Sequence, residues 1–214
     1  MADHDEDALA ALADDLGNAG LAPERVSTLA FDPTDAARWR QAMEFVQSQY
    51  GRIDWAILDA APMPHSELVE FGRAVPPGLD GALLALRSVA PIVRQNTQGG
   101  AIVITATTPI EAGPLELAQF VRAAAQQGSV DKLRVNAVAA GGLAPAGDLA
   151  PPWFHELAQQ AGSERAGFDR LSATPPALAR LAPTGDIARS IVSLISDDAP
   201  VSGVTLIVDG AATL

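Results

Sequence analysis

The sequence contains a single tyrosine, Tyr50, a single lysine, Lys132, and no cysteine. Without cysteine there is no disulfide framework, no thiolate metal site and no cysteine nucleophile. The histidines His4, His65 and His155 stand apart, with no second ligand at metal spacing, so no metal is expected. Aromatic residues make up 5% of the chain, which leaves an aliphatic core of Ala, Val, Leu and Ile. No apolar run approaches the roughly 20 residues that a membrane helix needs. The opening Met1-Ala-Asp-His-Asp-Glu-Asp is acidic and lacks the basic-then-apolar pattern of a signal peptide. A cytoplasmic protein is therefore expected. Positive charge is scarce too: 14 Lys and Arg stand against 26 Asp and Glu, a net charge of −12. That field repels nucleic acid and anionic membrane, so neither is an expected partner.

Apolar residues are plentiful. They form 48% of the 214 residues, enough for one well-buried domain and marginal for two. Leu9, Leu12 and Leu16 fall at helical spacing before Gly17 and Gly20. Val26–Phe31 reads as a strand. Asp32-Pro-Thr-Asp35 opens a helix with Trp39, Met43, Val46 and Tyr50 on one face, ended by Gly51. Ile53–Leu58, Ala101–Thr105, Leu133–Val138 and Val204–Val208 read as further strands. Helices are expected over 79–94, 114–127 and around Ile187–Ile195. Continuous runs such as Ala101-Ile-Val-Ile-Thr105 suit strands buried on both faces of a parallel sheet. Strands alternating with helices predict an α/β, Rossmann-like, doubly wound parallel sheet of about five strands in one domain spanning 1–214.

Several local patterns follow one another in a telling order. They are Phe31-Asp-Pro-Thr-Asp35, Gly51-Arg-Ile-Asp54, Gly99-Gly-Ala-Ile-Val103, Leu133-Arg-Val-Asn-Ala-Val138 and Val201-Ser-Gly-Val-Thr-Leu-Ile-Val-Asp-Gly210. In this order and spacing the chain resembles the short-chain dehydrogenase/reductase family over nearly its whole length. Against that family, the first β-α-β of the nucleotide-binding half is missing. None of the 18 glycines forms Gly-x-x-x-Gly-x-Gly or Gly-x-Gly-x-x-Gly, so no phosphate cradle and no NAD(P) cofactor is expected.

The resemblance also places the family's catalytic positions. Its Asn falls on Gly78, its Ser on Thr107, its Tyr on Phe120 and its Lys on Ala124. Its Asn-Asn-Ala-Gly falls on Leu58-Asp-Ala-Ala61 and its Pro-Gly on Ala140-Gly141. In the family the Tyr hydroxyl is the acid or base, and the Lys ammonium lowers its pKa. Phe120 has no proton to give and Ala124 no charge. No catalytic residue is expected, and the chain reads as a pseudoenzyme.

The helices matching 79–94 and 114–127 form a four-helix interface in the family, and the closing strand with its preceding helix forms a second. The resemblance thus implies a silent subunit that supports an active dehydrogenase in a heterotetramer, acting on a CoA thioester or an aromatic-pathway hydroxyacyl substrate. One alternative is a small-molecule-binding regulator using the former pocket around Thr107, Phe120 and Trp153. Another is a lyase or hydrolase built on His65, Asp59 or His155, with Glu156 as a further acid. Trp153-Phe154 is a candidate apolar patch, whereas Ser163 and Ser172 have no base nearby in sequence. With the family's first strand absent, Val26–Phe31 is expected to move beside Ile53–Leu58.

Overall fold

The computed structural model describes residues 1–33, 35–60, 69–70, 73–74, 79–107, 114–141, 159–163, 166, 184–196 and 199–209. Its main sheet consists of β3 (Trp55–Asp59), β6 (Gly100–Thr107), β7 (Leu133–Ala140) and β8 (Thr205–Val208), in the order β3-β6-β7-β8. All three pairings are parallel. A second, two-stranded parallel sheet joins β1 (Ala2–Asp3) to β2 (Leu29–Ala30). β4 (Val69–Glu70) and β5 (Arg73–Ala74) form a short antiparallel pair. The helices are α1 (Glu6–Asn18), α2 (Ala36–Tyr50), α3 (Asp80–Val93), α4 (Pro114–Gly128) and α5 (Thr184–Ile195). The α/β class and the alternation of strands and helices are as the sequence predicts.

Local chemistry accounts for the element ends. The Asp5 carboxylate accepts from the Ala8 amide at 2.9 Å and caps α1. Asp35 accepts from Ala37 N at 2.7 Å and caps α2. Each satisfies donors that a helix N-terminus leaves without a partner. Gly51 ends α2 at φ 75°, a left-handed conformation that costs other residues a steric penalty. Gly100 opens β6, and a Cβ there would collide with the Asp54 carbonyl and the Val93 side chain.

The parallel register sorts the two faces of the main sheet. Ile102 lies beside Val135 and Ile104 beside Ala137, on the face covered by α3 and α4. Val103 and Val138 lie on the opposite face, where Leu194, Ile187, Ile191 and Ile195 of α5 cover them. Ile102, Val103, Ile104, Val135 and Val138 are fully buried, as strands sandwiched between two helix layers must be.

Two polar residues tie the last strand to this core. The fully buried Asn136 donates to Val201 O at 2.9 Å and accepts from Val204 N at 3.1 Å. The Arg134 guanidinium donates to the carbonyls of Leu194 at 2.7 Å and Ser196 at 2.9 Å, so a cation closes the negative end of α5.

One placement differs from the sequence reading. The segment expected beside Ile53–Leu58 pairs instead with the first residues of the chain. Leu29 N donates to Met1 O and Phe31 N to Asp3 O, both at 2.9 Å. The acidic opening, whose charges mask a short extended stretch, supplies β2 with a parallel partner. β3 is consequently paired only with β6 among the described strands, and Trp55 and Ile57 remain 51% and 46% exposed. α2 still docks on the main core through Trp39 and Met43. The Trp39 ring meets Phe31 edge-on at 5.0 Å, and its indole N–H donates to Pro33 O at 2.9 Å.

Candidate functional site

In a parallel α/β sheet, ligands bind outside the carboxyl ends of the strands. Here those ends carry Asp59 on β3, Thr105 and Thr107 on β6, and Ala140 with Gly141 on β7. The register sets Asp59 directly beside Thr105. The Thr105 hydroxyl donates to the Asp59 carboxylate at 2.6 Å, and Ala60 N donates to Thr105 O at 2.8 Å. Asp59 is exposed. The pairing escaped the sequence reading, because Asp59 lies one residue past the run Ile53–Leu58 and the two runs do not specify their register.

Phe120 and Ala124 lie four residues apart on α4 and therefore on one side of it. Both are buried, at 6% and 3% exposure, in the core cluster with Leu117 and Val121. The position expected from the resemblance to hold the acid thus carries an apolar ring in an apolar layer. The position assigned to the ammonium holds a methyl group. Thr107 is the last residue of β6, while Gly78 lies outside the described residues.

His65, His155, Glu156, Trp153, Phe154, Ser172 and Ala61 also lie outside the described residues. His4 sits on the surface beside Asp3, at 2.8 Å. Ser163 is exposed and accepts from Ala166 N at 3.0 Å. Among the described residues no group of three His, Cys, Asp or Glu side chains could hold a metal ion. No described helix is long and apolar enough to cross a membrane.

A dinucleotide needs free backbone N–H groups and a positive field for its pyrophosphate. The helix N-termini after β1 and β2 supply neither. Asp5 occupies the start of α1 and is followed by Glu6 and Asp7, while Asp35 occupies the start of α2. Carboxylates hold the amides that a phosphate would use, and their charge opposes it. Among the described residues, these two helix N-termini do not fit the cofactor.

A family profile described as enoyl-(acyl carrier protein) reductase matches residues 1–213. The chain belongs to the short-chain dehydrogenase/reductase family. No curated protein sequence matches it. Among solved structures, a protein from Burkholderia xenovorans described as a short-chain dehydrogenase/reductase is similar at 23% identity and a TM-score of 0.75. The match covers 99% of this chain and 83% of that one. Levodione reductase is similar at 23% identity and TM-score 0.73, over 100% and 87% of the two chains. A hydroxysteroid dehydrogenase from Escherichia coli is similar at 22% identity and TM-score 0.71, over 100% and 84%. At these identities the likeness is one of fold. Within this dehydrogenase/reductase fold, the present sequence places the Asp59–Thr105 pair at the strand ends and buries Phe120 and Ala124 in the core beneath α4.

Proposed function

We propose that this chain is a non-catalytic member of the short-chain dehydrogenase/reductase family that assembles with an active NAD(P)-dependent relative and supports it. The observation that carries the reading is the burial of Phe120 and Ala124 in the aliphatic core, where the family alignment calls for a hydroxyl and an ammonium. Without a positioned acid, roughly 10²- to 10⁴-fold of rate is lost. Without a hydride carrier the family's redox reaction has no electron source. The carboxylates at the starts of α1 and α2 point the same way.

The surface supports association. Val192 on α5 and Val204, Leu206 and Ile207 in and beside the edge strand β8 are exposed by 38–61%. Leu115 at the start of α4 is 62% exposed. Apolar side chains grouped along an edge strand and its neighbouring helix suit a protein interface. α3 contributes a polar surface. Its apolar stripe of Leu83, Leu86, Ala90 and Val93 is consumed by the sheet, leaving Arg87, Pro91 and Arg94 outward. A four-helix contact through α3 and α4 would therefore be largely polar, and the α5–β8 side supplies the apolar part. In the heterotetramer the partner contributes cofactor and acid, and the substrate class is a CoA thioester or a related hydroxyacyl compound.

The test is co-expression with a short-chain dehydrogenase encoded beside this chain. Co-elution is expected, with dehydrogenase activity that falls when this chain is left out. Separate elution with unchanged partner activity would sink the proposal. Phe120→Tyr with Ala124→Lys should not create dehydrogenase activity in the isolated chain, because neither substitution adds a phosphate cradle.

A further inference from the structure

At the opposite end of the sheet from Asp59 and Thr105, the last turns of α4, the start of β7 and the segment before β8 enclose an open groove of about 1010 Å³. Arg122, Lys132 and Arg134 line it, with Ser202 between them. In a chain of net charge −12 this is a local reversal of sign, since no described lining residue is acidic. Asp131, next to Lys132 in sequence, is held by Arg94 at 3.3 Å. Asp197 and Asp198 lie outside the described residues.

The partners of Arg134 and Lys132 are neutral backbone carbonyls. Arg134 donates to the backbone carbonyls of Leu194, Ile195 and Ser196. Lys132 donates once, to Thr97 O at 3.1 Å, which leaves two of its three N–H donors. Ser202 Oγ accepts from Val135 N at 3.1 Å, so its own proton is available to a ligand. Arg122 is exposed beside Gly203, whose missing side chain lets that segment lie close to α4. Lys132 and Arg134 are thus positioned by backbone carbonyls, and among the described residues no carboxylate pairs with the three cations. Ala125 and Val201 add an apolar wall.

We infer that this groove is a binding site for a small organic anion carrying two or more phosphate or carboxylate groups. Its anionic ends would meet Arg122, Lys132 and Arg134, and its carbon body would rest on Ala125 and Val201. Charge-assisted hydrogen bonds supply the affinity, and the cations concentrate anions that the rest of the surface repels. The site lies away from the strand ends where the family fold binds ligand, and it does not depend on the proposed subunit role.

Isothermal titration of the whole chain with pyrophosphate and with citrate, at constant ionic strength set by sodium chloride, tests it. Saturable binding of at least one probe is expected, weakened about tenfold or more in Arg122→Gln through loss of a charge-assisted contact. Because Arg122 is exposed, the variant should melt at the wild-type temperature, which separates lost binding from lost folding. Binding of pyrophosphate alone assigns the site to phosphate, of citrate alone to carboxylates, and of both to anions of either kind. No saturable heat with either probe, or equal affinity in Arg122→Gln, overturns the inference.

Discussion

Phe120 and Ala124 put the proposed loss of chemistry at the scale of single atoms: one hydroxyl and one ammonium fewer than the resemblance leads one to expect. Their surroundings are tuned to what they are. Ala124 is 3% exposed among aliphatic neighbours, so a lysine there would hold its charge in a medium that disfavours it. A fall of about 3 units in that lysine's pKa corresponds to about 4 kcal/mol at neutral pH. Ala124→Lys should therefore lower the urea-unfolding free energy by about that amount at pH 7. The folded-state pKa would lie below the unfolded one, so the penalty is full below the folded value. It shrinks as pH rises towards about 10.4, where the unfolded lysine also loses its proton. A loss as large at pH 10.5 as at pH 7 would contradict this account. Asn136 is a second residue with a defined role. Truncation in Asn136→Ala leaves Val201 O and Val204 N without their side-chain partner, at a cost of about 2–4 kcal/mol for the two groups. Chemical denaturation would measure it, and a change under 1 kcal/mol would show that Asn136 does not anchor β8.

At the scale of elements, the main surprise is β3. Its partner β6 covers one edge, and no described strand covers the other. An edge strand that exposes Trp55 and Ile57 carries neither proline nor lysine to discourage pairing with other chains. Ile57→Lys should reduce self-association in light scattering while changing unfolding free energy by no more than about 0.5 kcal/mol. Scattering equal to that of the wild type would mean that this edge is not where copies of the chain meet. Most elements were legible beforehand. The runs at 101–105 and 133–138 are continuous and apolar because both faces are buried, and such runs identify themselves. β1 did not, since Ala2–Asp3 is two residues long and carries a charge, and only its pairing with Leu29–Ala30 makes it a strand. The two faces of α3 differ in polarity. Its stripe is apolar, but the same stripe that could meet a partner is the one that the sheet requires.

At the scale of the whole molecule, charge sets the terms. A net charge of −12 opposes folding through self-repulsion, which salt screens. Raising sodium chloride from about 20 to about 300 mM should stabilise the fold by about 1 kcal/mol, which raises the thermal midpoint by about 2–4 °C. A midpoint that falls with salt would show that ion pairs outweigh repulsion. The same charge makes the Arg122–Lys132–Arg134 groove conspicuous, yet nothing in the sequence announced it. Lys132 and Arg134 are close in sequence, while Arg122 and Ser202 come from another helix and another loop.

Composition and order of motifs determined the fold class, the buried strands and the absence of a glycine-rich phosphate turn. These follow from local patterns, because hydrophobic periodicity and glycine spacing are properties of neighbouring residues. The tertiary structure alone decided that β2 joins β1, that Asp59 meets Thr105, and that three cations share one groove. Those are contacts between residues far apart in the chain, set by strand register and by which edges find partners, and a linear pattern does not specify either.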